Sequence, residues 1–354
     1  MLLTTKRNLK MSRTKKILYC GVDLHSNNGV YVVTDKSDKV VFKRRLPNQL
    51  SVILPALKPF KNHLAAVAVE STYNWYWLVD GLMDQGYPVI LANPAAITQY
   101  NGIKDANDLT DAAFLAHLTR LGVLPTGYIY PKEDRPVRDL LRRRTLLVRH
   151  RTALKLSLQN MFIRQAALKI NWKDILKLTT QQRISILGDD EYLLFVTESQ
   201  LNLIQILNNN ISQFEQKILK HAKLKPEFEL LLTIPGVGLI LGLTIMLETG
   251  TIDRFKKAGN YTSYCRCVRA SRTSNGKSKG KNNSKNGNPY LGWAFVEIVH
   301  HAIRTCPQAR KFYDRKKSKR NGALATKALG AKWSKGAYYV MKKQEPFDLK
   351  RMFS

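Results

Sequence analysis

Four carboxylates stand where phosphoryl-transfer chemistry can be built. Asp23 closes the apolar run "YCGVDLH", Glu70 closes "AAVAVE", and "NDLTDAAFLAHL" carries Asp108 and Asp111 three residues apart. A Mg²⁺ site needs hard oxygen ligands converging from separated parts of a chain, because the ion keeps part of its water. Residues three apart on a helix share a face, and acids at the carboxyl ends of strands lie where α/β domains place their sites. Each acid also has a plainer use: Asp108 suits a helix N-cap, Asp111 a first helical turn, Asp23 a turn. A glutamate after five apolar residues is harder to explain by solvation, and the set of four is more specific than any member. Asp105, just upstream, breaks the three-residue step and is the weaker candidate.

A second group lies in "CRCVRASRTSNGKSKGKNNSKNGN", residues 265–288, with seven Lys or Arg, no acid and four serines. By composition it is an exposed basic loop. A serine hydroxyl is a poor nucleophile until something removes its proton, and this segment has no histidine or acid to do so. Chemistry at Ser271, Ser274, Ser278 or Ser284 therefore requires groups from elsewhere. Metal held by the four acids would polarise a phosphate while Lys and Arg of the loop clamp its other oxygens.

The elements that must position these residues follow from the apolar pattern. "ILYCGVDLHSNNGVYVVTDKSDKVVFKRRL" reads as three strands separated by turn-forming "HSNNG" and "DKSD", an antiparallel meander. "LSVILPALKPF" is helix-like, "HLAAVAVE" a buried strand, "NWYWLVDGLMDQG" an amphipathic helix ending at Gly86, and "YPVILANP" another strand. The expected class is α/β + α: an α/β domain over 16–125 after a disordered basic terminus (1–15), a coiled-coil-like helical region over 126–225, and a mainly helical domain over 226–345. In the middle region Val137, Leu140, Leu147, Leu154 and Leu158, then Ile204, Leu207, Ile211, Phe214 and Ile218, recur near heptad spacing and predict two long paired helices; an ordinary helical-bundle core is the alternative.

Lys and Arg outnumber Asp and Glu by 58 to 26 over 354 residues, a formal charge of +32, and the excess runs along the whole chain. Such a field draws in a polyanion, above all nucleic acid. No amphipathic anchor or lipidation motif supports a membrane-surface protein. Cys20, Cys265, Cys267 and Cys306 form no familiar zinc spacing, and no apolar signal core opens the chain, so a reduced, cytoplasmic protein is expected. "LLLTIPGVGLILGLTIML" is interrupted by Pro235 and three glycines and reads as buried helix rather than a membrane span. Its "IPGVG" is either a turn that offers backbone N–H groups to a phosphate or a close helix-packing turn.

Together "GVDLH … VAVE … NDLTDA", "GVLP", "VRDLLRRRTLLVRHRTALKLSLQN" and "IPGVGLILGLTIMLETGTIDRF" resemble the DEDD transposases of insertion sequences that encode a bridge RNA, the family that includes pilin-gene invertases. The resemblance runs from about residue 17 to about residue 305. It implies a RuvC-like, ribonuclease-H-type N-terminal domain whose Asp23, Glu70, Asp108 and Asp111 bind Mg²⁺, and a C-terminal serine transposase domain. That domain carries a Ser-Gly, basic stretch, Ser-Lys-x-Gly-Asn motif whose leading serine is the nucleophile. "SKNGN" sets its second half at Ser284, Lys285, Gly287 and Asn288, and the usual interval leads back to Ser274. Asn275 stands between Ser274 and Gly276 where the family commonly has Gly directly, which keeps Ser271 in reserve. Ser278 and Ser284 are expected phosphate contacts.

The resemblance implies an RNA-guided DNA recombinase that excises and inserts its own element through a serine-linked DNA intermediate. Its partners would be DNA at the element ends and target, a structured noncoding guide RNA, and further copies of the chain in a dimer or tetramer. Arg142, Arg143 and Arg149 of the first long helix, with Arg272, Lys277, Lys279, Lys285 and Asn288, are the expected nucleic-acid contacts. For the arginines, including Arg144 and Arg151, a solvated face is the alternative. A RuvC-like nuclease that uses water in place of Ser274, and a non-catalytic nucleic-acid-binding relic, are the competing functions.

Overall fold

The computed structural model of the chain describes residues 17–97, 107–222, 226–268, 273–280 and 286–353. The expected N-terminal disorder, Asp105, Ser271, Arg272, Ser284 and Lys285 lie outside them. The chain divides into two compact units, residues 1–129 and 130–354.

In the first unit the apolar runs form one five-stranded sheet: β1 (Leu18–Leu24), β2 (Asn28–Thr34), β3 (Val40–Pro47), β4 (Leu64–Glu70) and β5 (Val89–Ala92), in the order β3-β2-β1-β4-β5. The meander is antiparallel as expected, and β1, β4 and β5 run parallel. Strand β3 is one edge, and its Lys43, Arg44 and Arg45 keep that edge charged, which discourages pairing with another chain.

Alternation along the strands sorts the sheet's two faces. Cys20, Val22 and Leu24 of β1 pack with Val67 and Val69 of β4 against α1 (Leu50–Leu57) and α2 (Tyr76–Asp84). The opposite face receives α3 (Asp108–Arg120): Ala112 meets Val30 and Val32, and Leu115 meets Ala68 and Ala92. Gly21 makes this close fit possible, since a Cβ there would lie 1.9 Å from the Ala112 carbonyl oxygen and 2.7 Å from the Ala116 nitrogen. A helix lying this near β1 brings its first turn beside the strand's carboxyl end.

The second unit is helical. Two 32-residue helices, α4 (Arg135–Ala166) and α7 (Glu191–Ala222), pair as the heptad pattern predicts, with the short α5 (Trp172–Ile175) and α6 (Thr180–Leu187) between them. At 1.5 Å per residue each long helix spans about 48 Å. Leu158, Met161 and Phe162 of α4 join Ile175, Leu187 and Ile204 in a separate small core. At the other end Leu141 and Ile218 enter the main core of α8 (Pro226–Leu232), α9 (Leu239–Thr249), α10 (Ala258–Tyr264), α11 (Pro289–Thr305), α12 (Pro307–Lys319) and α13 (Gly322–Lys343). The short α14 (Leu349–Phe353) packs on this core through Leu349, Met352 and Phe353. The helical middle and the C-terminal region thus share one core.

The "IPGVG" turn between α8 and α9 is a packing turn. A Cβ at Gly236 would lie 2.5 Å from the Ile298 carbonyl oxygen of α11, and the Pro235 carbonyl accepts a 2.8 Å bond from the Trp333 indole. Among the described residues no helix is long and apolar enough to cross a membrane. All four cysteines are buried free thiols.

Candidate active site

Three consequences of the fold assemble the acids. Asp23 and Glu70 end neighbouring parallel strands, with Val22 opposite Val69 in the register. Both project on the face that α3 covers, and α3 points its first turn, with Asp108 and Asp111, at the same end. Asp108 does not serve as the helix cap: Asn107 does, accepting from the Leu109 and Thr110 nitrogens in a reciprocal capping box with Thr110. The Asp108 carboxylate is left to the site.

Asp23 is buried at 7% exposure. Desolvation raises its pKa, as do the nearby charges of Asp108 and Asp111, while His25 and a hydrogen bond from Glu70 oppose the rise. Glu70 is raised for the same reasons: burial first, then the charge of Asp23 and the hydrogen bond between the two carboxyls, then Asp111. Asp23 thus feels Glu70, Asp108 and Asp111, and Glu70 feels Asp23 and Asp111, as carboxylates gathered in a half-buried place do.

Two further residues enter. His25 Nε2 lies 3.3 Å from Asp23 Oδ2 and 3.3 Å from Asp108 Oδ2. This buried nitrogen makes no well-formed hydrogen bond among the described residues. Its backbone carbonyl is pinned by the side chains of Asn48 and Asn74, at 3.1 and 2.9 Å. Asp23, His25 and Asp108 offer ligand atoms within 4.8 Å of one another. Arg45 of β3 donates to Asp108 at 2.5 Å and to Asn28 at 2.9 Å, and this bond is the main reason the Asp108 pKa is lowered. The crowded acids and the orphaned imidazole nitrogen fit a divalent cation.

The spacing Asp23-x-His25 is a signal the sequence reading passed over, since residues two apart on an extended segment point the same way. Arg45 had no such signal, because only the β2–β3 register brings it near.

Raised carboxyl pKa values have a testable sign. The folded, metal-free unit holds protons that the unfolded chain releases, so stability is lost as pH rises from the ordinary carboxylate range through the raised pKa. Glu70→Gln cannot ionise and should raise the metal-free melting midpoint at about pH 7 by roughly 2 °C or more, with a smaller gain near pH 4. It should also remove any midpoint rise on adding Mg²⁺. A lower midpoint than wild type in chelator at neutral pH would show that Glu70 is not under this repulsion.

In the second unit Ser274 sits on a small hairpin, β6 (Thr273–Ser274) with β7 (Lys277–Ser278), and is exposed. Asn275 and Gly276 form the two-residue turn with φ of 49° and 71°. Asn-Gly is the pair most suited to such a left-handed turn, so Asn275 has a local structural reason to stand after Ser274. The register places Lys277 opposite Ser274. Lys277 and Lys279 are exposed, as are Arg143 and Arg149, which make no ion pair among the described residues.

Other expected contacts are engaged internally. Arg142 donates to Glu248 through Nε at 2.6 Å and Nη2 at 2.8 Å. Asn288 is 4% exposed; its Nδ2 donates to Glu248 at 2.7 Å and its Oδ1 caps α11 by accepting from the Tyr290 and Leu291 nitrogens. Asn288 is therefore a structural cap and anchor rather than a phosphate contact, because burial and these bonds take up its amide. Arg144 pairs with Glu215 and Arg151 with Asn208, clasping α4 to α7 rather than lining a solvated face.

Comparison with known proteins agrees with this geometry. Residues 20–164 match a DEDD transposase family of the IS110 type, and residues 228–314 match the family described as "Transposase IS116/IS110/IS902 family". The first span contains all four acids and the second contains Ser274; the chain is a transposase, a DNA-recombining enzyme whose DEDD domain is consistent with a RuvC-like fold. More particularly, it belongs to the IS110 family. It is 24% identical over 302 residues to the "Transposase for insertion sequence element IS1111A" of Coxiella burnetii (strain RSA 493 / Nine Mile phase I), covering 82% of this chain and 79% of that protein.

Proposed function

We propose that the chain excises and inserts an insertion-sequence element through a covalent Ser274–DNA intermediate, with Asp23, Glu70, Asp108 and Asp111 holding Mg²⁺ and a structured noncoding RNA directing target choice. The observation that carries the reading is the gathering of carboxylates at the carboxyl end of the central strands, where Asp23 feels Glu70, Asp108 and Asp111 and offers a ligand atom beside those of His25 and Asp108. It is joined by an exposed serine paired in register with a lysine, in a segment matching a transposase family.

In this reading Ser274 Oγ forms an ester bond to phosphorus as a P–O bond to deoxyribose breaks. The proton lost by Ser274 is balanced by one gained by the departing oxygen. Lys277 and Lys279 hold the non-bridging oxygens and oppose the charge that grows on them. Asp23, Glu70, Asp108 and Asp111 would hold a cation whose chemistry, when bound, would be electrophilic assistance at the phosphate. Because the ester keeps the energy of the cleaved bond, the strand can be rejoined to a new partner, which hydrolysis does not allow.

The test is a denaturing gel of full-length protein with Mg²⁺, RNA transcribed from the noncoding sequence flanking the reading frame, and labelled DNA of the element ends. A protein-linked DNA band supports the reading; cleaved DNA with no adduct would replace it with a water-using nuclease. Binding is expected to be dominated by backbone charge, given the +32 of the chain. If about six or more phosphates are contacted, affinity should fall about 10³-fold or more between ~50 and ~200 mM salt. A flat salt dependence would contradict this.

A further inference from the structure

The buried carboxylate of Glu248 is the centre of a polar cluster to which the transposition chemistry gives no part. It is 1% exposed at the end of α9. It accepts from Arg138 Nε at 3.1 Å, from both Nε and Nη2 of Arg142, and from Asn288 Nδ2 at 2.7 Å. Burial works to raise its pKa, but the Arg142 hydrogen bond and the two guanidinium charges prevail and hold it below the ordinary range. Its backbone carbonyl accepts from the Tyr130 hydroxyl at 2.7 Å, and that hydroxyl lies 3.1 Å from the hydroxyl of Tyr264.

We propose that Glu248 and Asn288 are positioning residues that lock the base of the serine segment to the long helix α4, an inference that rests on Ser274 being the nucleophile. The serine segment is bracketed by Tyr264 to Cys267, whose two cysteines are still buried in the core, and by Asn286 to Asn288. These two ends are clasped by the Asn288 nitrogen donating to the Tyr264 carbonyl at 2.6 Å, and by Arg266 Nε donating to the Asn286 carbonyl at 3.1 Å. Asn288 then joins this clasp to Glu248, and Glu248 joins it to Arg138 and Arg142 of α4. The same helix presents the exposed Arg143, next to Arg142 in sequence, and Arg149 about two turns farther along.

A buried carboxylate with two guanidinium groups is seldom more stabilising than apolar packing of the same volume, whereas its directional bonds admit one arrangement. That arrangement sets where the base of the serine segment stands relative to the arginine face of α4. A Ser274 held at its base by apolar contacts alone would sample more orientations, and small misplacements of a reacting group are costly in rate.

The experiment uses full-length protein, Mg²⁺, the flanking-segment RNA and labelled element-end DNA, measuring adduct rate at saturating DNA, DNA affinity and melting midpoint. Asn288→Asp keeps the α11 cap but sets a second carboxylate against Glu248; Asn288→Ser keeps a cap and removes only the Nδ2 donor. Both should lower the adduct rate tenfold or more with DNA affinity within threefold of wild type. The exchange Glu248→Gln with Asn288→Asp restores one amide and one carboxylate between the two arginines. It should recover the rate to within threefold of wild type, which a role in stability alone does not require. Should Asn288→Asp not fold, Asn288→Ser and the exchange carry the test. The inference is overturned if folded Asn288→Ser keeps the wild-type rate, if the exchange folds but reacts as slowly as the single variants, or if rate and affinity fall in parallel. Ser274→Ala separates the two levels: an adduct that survives it removes the nucleophile reading, while a Ser274-dependent adduct indifferent to Asn288 removes only this inference.

Discussion

Ser274→Ala is expected to lose the protein-linked DNA band, and recombination with it, by about 10³-fold or more, while still binding RNA and DNA. Removing an exposed hydroxyl beside a two-residue turn disturbs no core, because Ser274 belongs to a two-stranded hairpin whose turn is made by Asn275 and Gly276. A loss of adduct can therefore be read as loss of the attacking atom. Ser271→Ala, Ser278→Ala and Ser284→Ala should keep the band with at most a reduced yield. Persistence in Ser274→Ala with disappearance in Ser271→Ala would move the nucleophile by three residues. Absence of an adduct in wild type, with strand cleavage intact, would assign the attack to water.

Substitution of the acids should have an effect of similar size with a different profile. Asp23→Asn, Glu70→Gln, Asp108→Asn or Asp111→Asn should each abolish Mg²⁺-dependent strand cleavage by about 10³-fold or more, with nucleic-acid affinity unchanged or slightly increased. The sign on affinity follows from charge: carboxylates repel phosphate unless a cation intervenes, and Asp23 and Glu70 already repel each other. Cleavage assayed against Mg²⁺ concentration, with binding measured in parallel, checks both halves. Cleavage that kept its Mg²⁺ dependence without Glu70 or Asp111 would show that these two acids do not form the metal site. His25→Ala is a useful companion, since an imidazole nitrogen between Asp23 and Asp108 contributes either a ligand or the orientation of both acids.

Much of the first unit was legible before any coordinates. The run ending in Asp23 is apolar on both sides of its alternation because β1 is central, and its neighbours β2 and β4 are equally buried. The three-residue step from Asp108 to Asp111 marks a helix face whatever that helix packs against. Heptad spacing likewise announced α4 and α7, since the repeat marks the face that each helix turns to the other. Local readings did less well where one residue type serves several ends. Asp108 reads as a cap, yet Asn107 takes that place. Asn288 reads as a loop polar group available to phosphate, yet it is enclosed by Glu248, Tyr264 and the first turn of α11. Arg142 and Arg143 adjoin in sequence, but helix geometry turns one to Glu248 and the other to solvent.

By itself the sequence determined the strand and helix periods, the positions of the four acids on them, the left-handed Asn275–Gly276 turn and the positive field of the chain. These depend on spacing and composition, which are local quantities. Tertiary structure decided which groups face one another across long separations: Gly21 admitting α3 so that Asp108 reaches Asp23, Arg45 reaching Asp108 through the β3 register, and Glu248 gathering Arg138, Arg142 and Asn288. Such contacts join residues 40 to 110 positions apart. No period along the chain encodes them, because they arise only when burial and backbone pairing have fixed the directions in which side chains point.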